Sequence, residues 1–261
     1  MSNKYWVPAI ERADLLLREI SKHPNELRLI DLSKRLEINK SSLYSLLNTL
    51  ETLGWIIKTA TDSYNLGSTL GTFNSMYLSQ FNLIQCFYKE AQEAVSNIQE
   101  HIQLGTLEGN DVVYLGKVEA KTRVQLVTEP GMRFPAYASA VGKVQLINHT
   151  AEEIEDLFPI KTWDKKTEFT TSNIEELCSK VSLAKTKGYA VENQESALGF
   201  HCVAAPIYNF EKQIIAGISF TMPTNSWEDK FEAAKEEIIK LAANLSKLAG
   251  YQEVSKEATT L

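Results

Sequence analysis

The amino-acid sequence predicts an α+β fold in two domains, and three observations lead to this prediction. Residues 1–67 hold three short segments with apolar residues at helical spacing, followed by two apolar runs around a polar turn. From residue 102 onward several segments alternate apolar and polar residues, which is typical of strands, and other segments keep the helical period. The length of 261 residues also exceeds that of most single domains.

Three helices are predicted in the first domain, over residues 8–22, 28–36 and 40–53. Each repeats apolar side chains every three or four residues, the spacing that places them on one face of a helix. Pro8 suits a first helical turn, and Gly54 suits the position that follows a last turn. The side chains predicted to face inward are Ile10, Ala13, Leu17, Ile20, Leu29, Leu32, Leu36, Leu43, Leu46, Leu47, Leu50 and Leu53.

Residues 55–67 are predicted to form two strands joined by a polar turn around Thr61–Ser63. Three helices followed by a hairpin are the layout of a winged helix-turn-helix, whose third helix enters the major groove of DNA. A polar helix face is equally normal on a small domain that only meets water. The candidate DNA-contacting residues are Arg28, Asn39, Lys40, Ser41, Ser42, Tyr44, Ser45, Asn48 and Lys58.

The charge distribution is compatible with a DNA-binding first domain. The formal net charge of -6 does not by itself favour a nucleic-acid partner. Residues 1–67, however, carry 9 basic and 8 acidic residues, whereas the remainder carries 18 basic and 25 acidic ones. Because phosphate contact is a local property of one surface, acidic bulk elsewhere does not exclude an interaction with DNA.

Residues 68–101 are predicted to connect the two domains. Within this segment, apolar residues from Ile84 to Ile98 alternate spacings of three and four, which predicts an amphipathic helix. The helix is interpreted as a linker, a dimer element, or both. Its predicted apolar face consists of Ile84, Phe87, Ala91, Ala94 and Ile98.

The second domain is predicted over residues 102–250, ahead of a loose polar tail at 251–261. A hairpin turns around Gly109–Asn110, and Ser226 suits the N-cap of a final long helix. Further strands are predicted at 122–128, 189–192, 200–208 and 213–222, and further helices at 139–149, 151–158 and 172–187. This order favours a mostly antiparallel sheet with helices packed on it.

The sequence contains no recognisable catalytic or cofactor motif. It has no phosphate-binding GxxxxGK[ST] loop, no GxGxxG, no GxSxG and no HExxH pattern. The three cysteines are far apart and odd in number, which favours a reducing compartment. The chain also lacks a long apolar run, and its start lacks the apolar core of a signal peptide. We therefore expect a cytoplasmic protein without membrane contact, metal, cofactor or catalytic residues.

The adjacent pair His201 and Cys202 suggests a metal site or a nucleophile with its base. Neighbouring side chains on a strand point to opposite faces, which argues against both interpretations. A catalytic Cys202 with a distant histidine stays open as an alternative. On the next strand Ser219 and Thr221 share one face, so a thiol and two hydroxyls could line a small-molecule pocket. The same hydroxyls could also face water, since alternation does not identify the buried face.

Several motifs together resemble one family. The segment "GYAVENQESALGFHCVAAPIYNFEKQIIAGISFTMP" resembles the signature region of the IclR family of bacterial transcription regulators. "SAVGKVQL" resembles the Gly-Lys helix start of that family, and "INKSSLYSLLNTLETLGWI" with "YNLG" resembles its winged-helix domain. The resemblance extends over residues 6–250, with the motifs in the family's order and at its separations.

The resemblance implies a winged helix-turn-helix, a linker helix and a GAF-like effector domain with an antiparallel sheet. Members bind operator DNA as homodimers or dimers of dimers and respond to small metabolites, often organic acids. We therefore expect a metabolite-modulated operator-binding regulator of a catabolic operon, with a carboxylate as the effector. Residue by residue, the resemblance implies an effector site at Ala140, Val141, Glu192, Cys202, Ser219 and Thr221. The amide groups at the Gly142–Lys143 helix start would then hold a carboxylate.

Three positions depart from the family pattern. Ser45 stands where many members have an arginine on the recognition helix, Tyr137 replaces a frequent histidine, and Thr221 replaces a frequent serine. The first departure bears on the operator sequence, and the third adds a methyl group to the effector site. Two other classes of protein stay open: a Cys202-dependent enzyme, and a sensor or interaction module that has lost DNA binding.

Overall fold

A computed structural model describes residues 7–122, 128–159 and 163–252, except for the side chains of 78–80. The chain divides into two compact units, Met1–Gln80 and Phe81–Leu261, and the predicted α+β class is confirmed. Most of the strand predicted at 122–128 and most of the tail predicted at 251–261 lie outside the described residues. Within the described ranges, no helix is long and apolar enough to cross a membrane.

The first unit has the predicted winged helix-turn-helix layout. Helices α1 (Pro8–Lys22), α2 (Leu29–Arg35) and α3 (Lys40–Thr52) precede strands β1 (Ile56–Lys58) and β2 (Tyr64–Leu66), and helix α4 (Ser68–Gln80) follows. The strands pair antiparallel with Ile57 opposite Asn65, which forms the wing. A bond from the Tyr64 amide to the Leu27 carbonyl, 3.1 Å long, fixes the wing beside the start of α2.

The buried face of the first unit differs from the prediction at three positions. Ile10 is 67% exposed, and Leu16 rather than Leu17 is the fully buried leucine of α1. Both leucines fit the spacing between Ala13 and Ile20, so periodicity alone could not choose between them. Leu53 is 51% exposed because α3 ends at Thr52 and the chain turns away at this position.

The segment predicted as a linker contains two helices rather than one. Helix α5 (Leu83–Ile98) follows α4 after a break at which the Asn82 side chain accepts a bond of 3.1 Å from the Gln85 amide. Phe87 and Ile98 of α5 are buried in the core of the second unit, whereas Ile84 is exposed. The structure divides the chain between Gln80 and Phe81, which lies inside the connecting segment predicted at 68–101.

The described residues of the second unit form one six-stranded antiparallel sheet. Its strands are β3 (His101–Glu108), β4 (Asp111–Val118), β5 (Arg133–Pro135), β6 (Ala190–Asn193), β7 (Phe200–Tyr208) and β8 (Ile214–Pro223). Their order in the sheet is β5-β4-β3-β8-β7-β6. Besides α5, the described helices of this unit are α6 (Ala140–Gln145), α7 (Ala151–Leu157), α8 (Ile174–Lys187) and α9 (Thr224–Leu248).

Both faces of this sheet are covered, which leaves the central hairpin β7–β8 buried on each side. Helices α5 and α9 pack on the face that carries Val203, Ile218 and Phe220. Helices α6, α7 and α8 pack on the face that carries Ala204. Because each face of the hairpin packs against helices, both the odd-numbered and the even-numbered positions of β7 and β8 are rich in aliphatic residues.

Two predicted helix bounds in this unit were wrong. Helix α6 ends at Gln145 and does not continue to residue 149. Helix α9 begins at Thr224 with Pro223 as its N-cap, so Ser226 lies inside the first turn. The Ser226 hydroxyl donates to the Pro223 carbonyl at 3.2 Å. Ser226 thus forms a hydrogen bond at the start of the helix, but it is a residue of the first turn and not the N-cap.

Candidate functional site

The sheet register brings three of the predicted effector-site residues into one row. Cys202 of β7 pairs with Thr221 of β8 on one side and with Glu192 of β6 on the other. The Cys202 sulfur lies 3.3 Å from the Thr221 hydroxyl. Ser219 pairs with Ala204, two residues further along the same face. Strand pairing therefore assembles a short polar row on an otherwise apolar surface.

His201 lies on the opposite face from Cys202, as strand alternation predicts. Its ring stacks on Trp227 at 5.0 Å, and its Nε2 is 3.0 Å from the Thr224 hydroxyl at the start of α9. Burial raises the pKa of the Cys202 thiol well above its ordinary value, and the nearby Glu192 adds to the effect. The thiolate is the nucleophilic form of a cysteine, and burial at this position disfavours it.

The first turn of α6 forms a second wall above this row. The Ser139 hydroxyl caps the helix by accepting a bond of 3.0 Å from the Gly142 amide. A Cβ at position 142 would lie only 2.3 Å from the Ala136 carbonyl oxygen, so glycine is required for this close approach. As a result Ala140 and Val141 are buried and face the sheet.

A cavity of about 230 Å³ lies between the sheet and α6. The structure places all six predicted effector-site residues in its wall: Ala140, Val141, Glu192, Cys202, Ser219 and Thr221. Sequence reasoning missed the contributions of Gln103 and Tyr114, which project into the cavity from β3 and β4. The alternation of Gln103 and Tyr114 with apolar neighbours indicated that both lie on strands. The sequence did not indicate the order of the strands in the sheet, which is what brings both residues to the cavity.

Some of the polar groups in the cavity wall form hydrogen bonds with one another. The Thr221 hydroxyl donates to the Gln103 side-chain oxygen at 3.2 Å, and the Gln103 amide donates in turn to Thr128. Burial raises the pKa of Tyr114, and the neighbouring Cys202 and Glu192 contribute to the shift. The Tyr114 phenol therefore stays protonated, and together with the Ser219 hydroxyl it is a potential donor to a ligand.

Behind the cavity, a buried ion-pair network ties α6 to α8. The Lys143 ammonium lies 2.6 Å from one carboxylate oxygen of Glu195, and both side chains are almost wholly buried. Lys180 of α8 reaches the same oxygen at 3.1 Å, and the Thr171 hydroxyl donates to the other at 2.5 Å. Glu195 thereby fixes the helix that forms the upper wall of the cavity.

The nine predicted DNA-contacting residues are all exposed on the first unit. Some of their side chains already have partners within the unit. Asn39 is the N-cap of α3, because its oxygen accepts from the Ser42 amide and the Ser41 hydroxyl, both at 2.9 Å. The Ser45 hydroxyl donates to the Ser41 carbonyl at 3.2 Å. Lys58 pairs with Asp62 at 2.7 Å across the turn of the wing.

The capping role of Asn39 gives a testable expectation. Asn39→Ala is expected to lower the free energy of unfolding of the first unit by about 1 kcal/mol, because the Ser42 amide loses its acceptor. Urea unfolding followed by circular dichroism measures the change. Asn39→Asp keeps a capping oxygen and serves as the matched control. Equal stability of the alanine variant and the wild type would contradict the role.

Known families match both units of the chain. The IclR helix-turn-helix domain matches residues 9–59, and the description "bacterial transcriptional regulator IclR C-terminal" matches residues 75–247. The protein therefore belongs to the IclR family of transcriptional regulators.

Among the described residues, no group of three or more histidine, cysteine or acidic side chains could hold a metal ion.

Individual relatives resemble the chain over nearly its whole length. The HTH-type transcriptional regulator XynR of Escherichia coli is 28% identical over 94% of this chain and 98% of its own length. KdgR of Dickeya chrysanthemi is 27% identical over 87% of this chain and 75% of its own. The crystal structure of the repressor BlcR of Agobacterium tumefaciens has a TM-score of 0.80 at 24% identity, covering 95% of this chain and 99% of that one. This last likeness supports the fold.

Proposed function

We infer that the protein binds operator DNA in a sequence-specific manner and that a small organic or sugar acid modulates this binding. The observation that carries the inference is the cavity beneath α6, which holds convergent hydroxyls in a chain whose first unit is a winged helix-turn-helix. An effector that prefers one arrangement of the protein would change operator affinity by its differential binding. The protein would act in the cytoplasm on a catabolic operon.

The exposed side of α3 supports the DNA-binding part of this proposal. Lys40, Tyr44 and Asn48 are exposed there, and they offer a phosphate ligand, a hydroxyl and an amide that can read a base edge. Ser45, which departs from the family pattern, instead returns its hydroxyl to its own helix. Base recognition would therefore rest on Asn48 and Tyr44, while Lys58 of the wing would contact the backbone.

Exposed apolar side chains of the first unit support assembly into a homodimer. Ile10 and Leu15 on α1 and Phe73 on α4 each expose more than two fifths of their surface. Brought together in one contiguous patch, these side chains would form the kind of apolar surface that marks a protein–protein interface. A dimer would present two recognition helices to an operator with two half-sites. Pairs of such dimers would extend the contact to longer operators.

The direct test is binding to the DNA upstream of the protein's own gene, measured by gel shift and fluorescence anisotropy. We expect binding that is specific for sequence and weakens with salt. A thermal-shift screen against small organic and sugar acids identifies the effector. Equal affinity for operator and random DNA at all salt concentrations would refute the proposed function.

Two substitutions separate backbone contact from base recognition. Lys40→Ala is expected to weaken binding to all sequences alike and to lower the salt slope by about 1, because one phosphate contact is lost. Asn48→Ala is expected also to change the preferred base, with a loss of discrimination of about 1–3 kcal/mol. Lys240→Ala on α9 removes an exposed lysine of the second unit and serves as the charge-matched control. If neither substitution in α3 affects binding, the assignment of the recognition helix is wrong.

A further inference from the structure

Glu192 is the only charged side chain among the described residues that line the cavity. It is 0% exposed, and one carboxylate oxygen accepts a bond of 2.8 Å from the Ser196 amide. The other oxygen, Oε2, has no hydrogen bond of acceptable geometry among the described residues, although the Cys202 thiol lies close enough to the carboxylate to lower its pKa in part. A buried carboxylate oxygen without a partner is unusual, and here it belongs to a residue of a ligand-sized cavity.

Among the described residues, the titratable groups around Glu192 come from four parts of the unit. Tyr114 lies on β4, Lys143 on α6 and Cys202 on β7, and Glu195 follows β6. The only cation among them, Lys143, is held by Glu195 at 2.6 Å. The Tyr114 phenol and the Cys202 thiol are neutral, because burial raises the pKa of each group. Glu192 therefore has no ion-pair partner of its own among the described residues.

This arrangement conflicts with simple binding of an organic anion. A ligand carboxylate in the same enclosure would face the Glu192 carboxylate with little water to screen the repulsion. Two carboxyl groups in such a site share one proton and titrate as a pair. Burial already raises the pKa of Glu192, which makes this proton easy to acquire.

We propose that the cavity binds a small carboxylate together with one proton, which resides on Glu192 and is donated in a hydrogen bond to the ligand. The inference rests on the proposed function and adds the ionisation state and the pH response of the effector site. The proton comes from solvent and joins Oε2, so ligand and proton enter together and the charge of the site does not change. No covalent bond of the ligand is made or broken.

The expected signature is a coupling between pH and ligand affinity. Above the pKa of Glu192 in the free protein, the dissociation constant should rise about tenfold for each pH unit, because one proton is taken up for each ligand bound. A neutral amide of the same shape needs no proton, since its NH₂ group can donate to ionised Glu192. Its affinity should not depend on pH.

The experiment uses the full chain and a panel of acetate, glycolate, lactate, pyruvate and glycerate, each beside its amide. Thermal shift between about pH 6 and pH 8 identifies the acids that bind, and calorimetry follows these acids in two buffers of different ionisation enthalpy. The difference in heat between the buffers gives the number of protons taken up. At the alkaline end of this range, above the pKa of Glu192 in the free protein, we expect one proton for each acid bound and none for each amide.

Glu192→Gln tests the residue itself. The glutamine is isosteric, keeps an acceptor for the Ser196 amide and supplies a permanent donor to the ligand. The variant should bind the acid independently of pH, and at about pH 8 it should bind roughly tenfold or more tightly than the wild type. Glu211→Gln, in the exposed turn between β7 and β8, is the matched control and should keep the wild-type pH response.

Three results would overturn the inference. One is that no acid of the panel binds at any pH, including the case in which only neutral or cationic compounds bind. Another is that acids bind without proton uptake, a measurement on the wild type that does not depend on how the variant folds. The third is that Glu192→Gln retains the wild-type pH dependence. Operator binding is measured separately, so its absence would refute the proposed function while these results bear on the pocket alone.

Discussion

Replacement of Lys143 by methionine is expected to lower the free energy of unfolding of the second unit by about 3–5 kcal/mol. The Lys143 and Glu195 side chains are only 1% and 4% exposed and lie 2.6 Å apart, so the variant leaves a buried carboxylate without its nearest cation. The helix that bears Lys143 also forms the upper wall of the cavity. Urea unfolding followed by tryptophan fluorescence and circular dichroism measures the loss.

Lys180→Met is the matched control for this substitution. Lys180 reaches the same carboxylate at 3.1 Å, but its side chain is 31% exposed, so its removal should cost about 1 kcal/mol or less. The double variant Lys143→Met with Glu195→Gln should recover part of the stability, because no unpaired charge stays buried. A Lys143 variant no less stable than the Lys180 variant would show that the buried pair does not stabilise this unit.

The effect of Lys143→Met should depend on pH in a defined direction. Burial opposes ionisation of Glu195, but Lys143 and the Thr171 hydroxyl outweigh it and lower the pKa of this carboxyl in the folded protein. A lowered carboxyl pKa contributes stability near neutral pH that is lost as the solution becomes acidic. In the variant, Glu195 can be protonated instead. The difference between wild type and variant should therefore shrink as the pH falls from 7 toward about 4.

The double variant Ser219→Ala with Thr221→Val is expected to abolish the response to the effector while operator binding is retained. Both hydroxyls lie in the wall of the cavity, and valine keeps the shape of threonine. The Ser219 hydroxyl can donate to a charged ligand, whereas the Thr221 hydroxyl must first leave Gln103, so we expect a loss of at least about 1.5 kcal/mol, or about tenfold in affinity. The ratio of operator dissociation constants with and without effector, measured by fluorescence anisotropy, should fall to about one.

Thr106→Val provides the matched control for the pocket variant. Thr106 lies on β3 of the same sheet, but its hydroxyl donates to the Ile215 carbonyl at 3.3 Å and it is not among the residues of the cavity wall. The effector response should survive this substitution. An unchanged response in the double variant, at effector concentrations near the wild-type dissociation constant, would contradict the assignment of the pocket.

Sequence patterns predicted which side chains share a face of the central hairpin, because the side chains of a strand alternate between its two faces. The separation of His201 from Cys202 follows from this alternation alone, and the structure confirms it. The pattern could not tell which face was buried, and in fact both are. Similarly, the spacing in α1 predicted an apolar stripe but could not choose between Leu16 and Leu17.

Local sequence patterns could not predict contacts between residues that are far apart in the chain. Gln103 meets Thr221 only because β3 lies beside β8, a pairing across more than a hundred residues that no local period encodes. The Lys143–Glu195 pair joins residues 52 positions apart for the same reason. The break between α4 and α5 depends on one capping side chain, Asn82, inside a segment whose apolar spacing continues to its end.

The central hairpin, buried on both sides, has a consequence for evolution. Substitutions at 202, 219 and 221 change what a ligand would meet, whereas those at 203, 218 and 220 change the packing against α9 and α5. Selection could therefore retune the preference for a ligand at these three positions without disturbing the opposite core. A combinatorial library confined to those three codons would explore new ligands of the cavity on an unaltered scaffold.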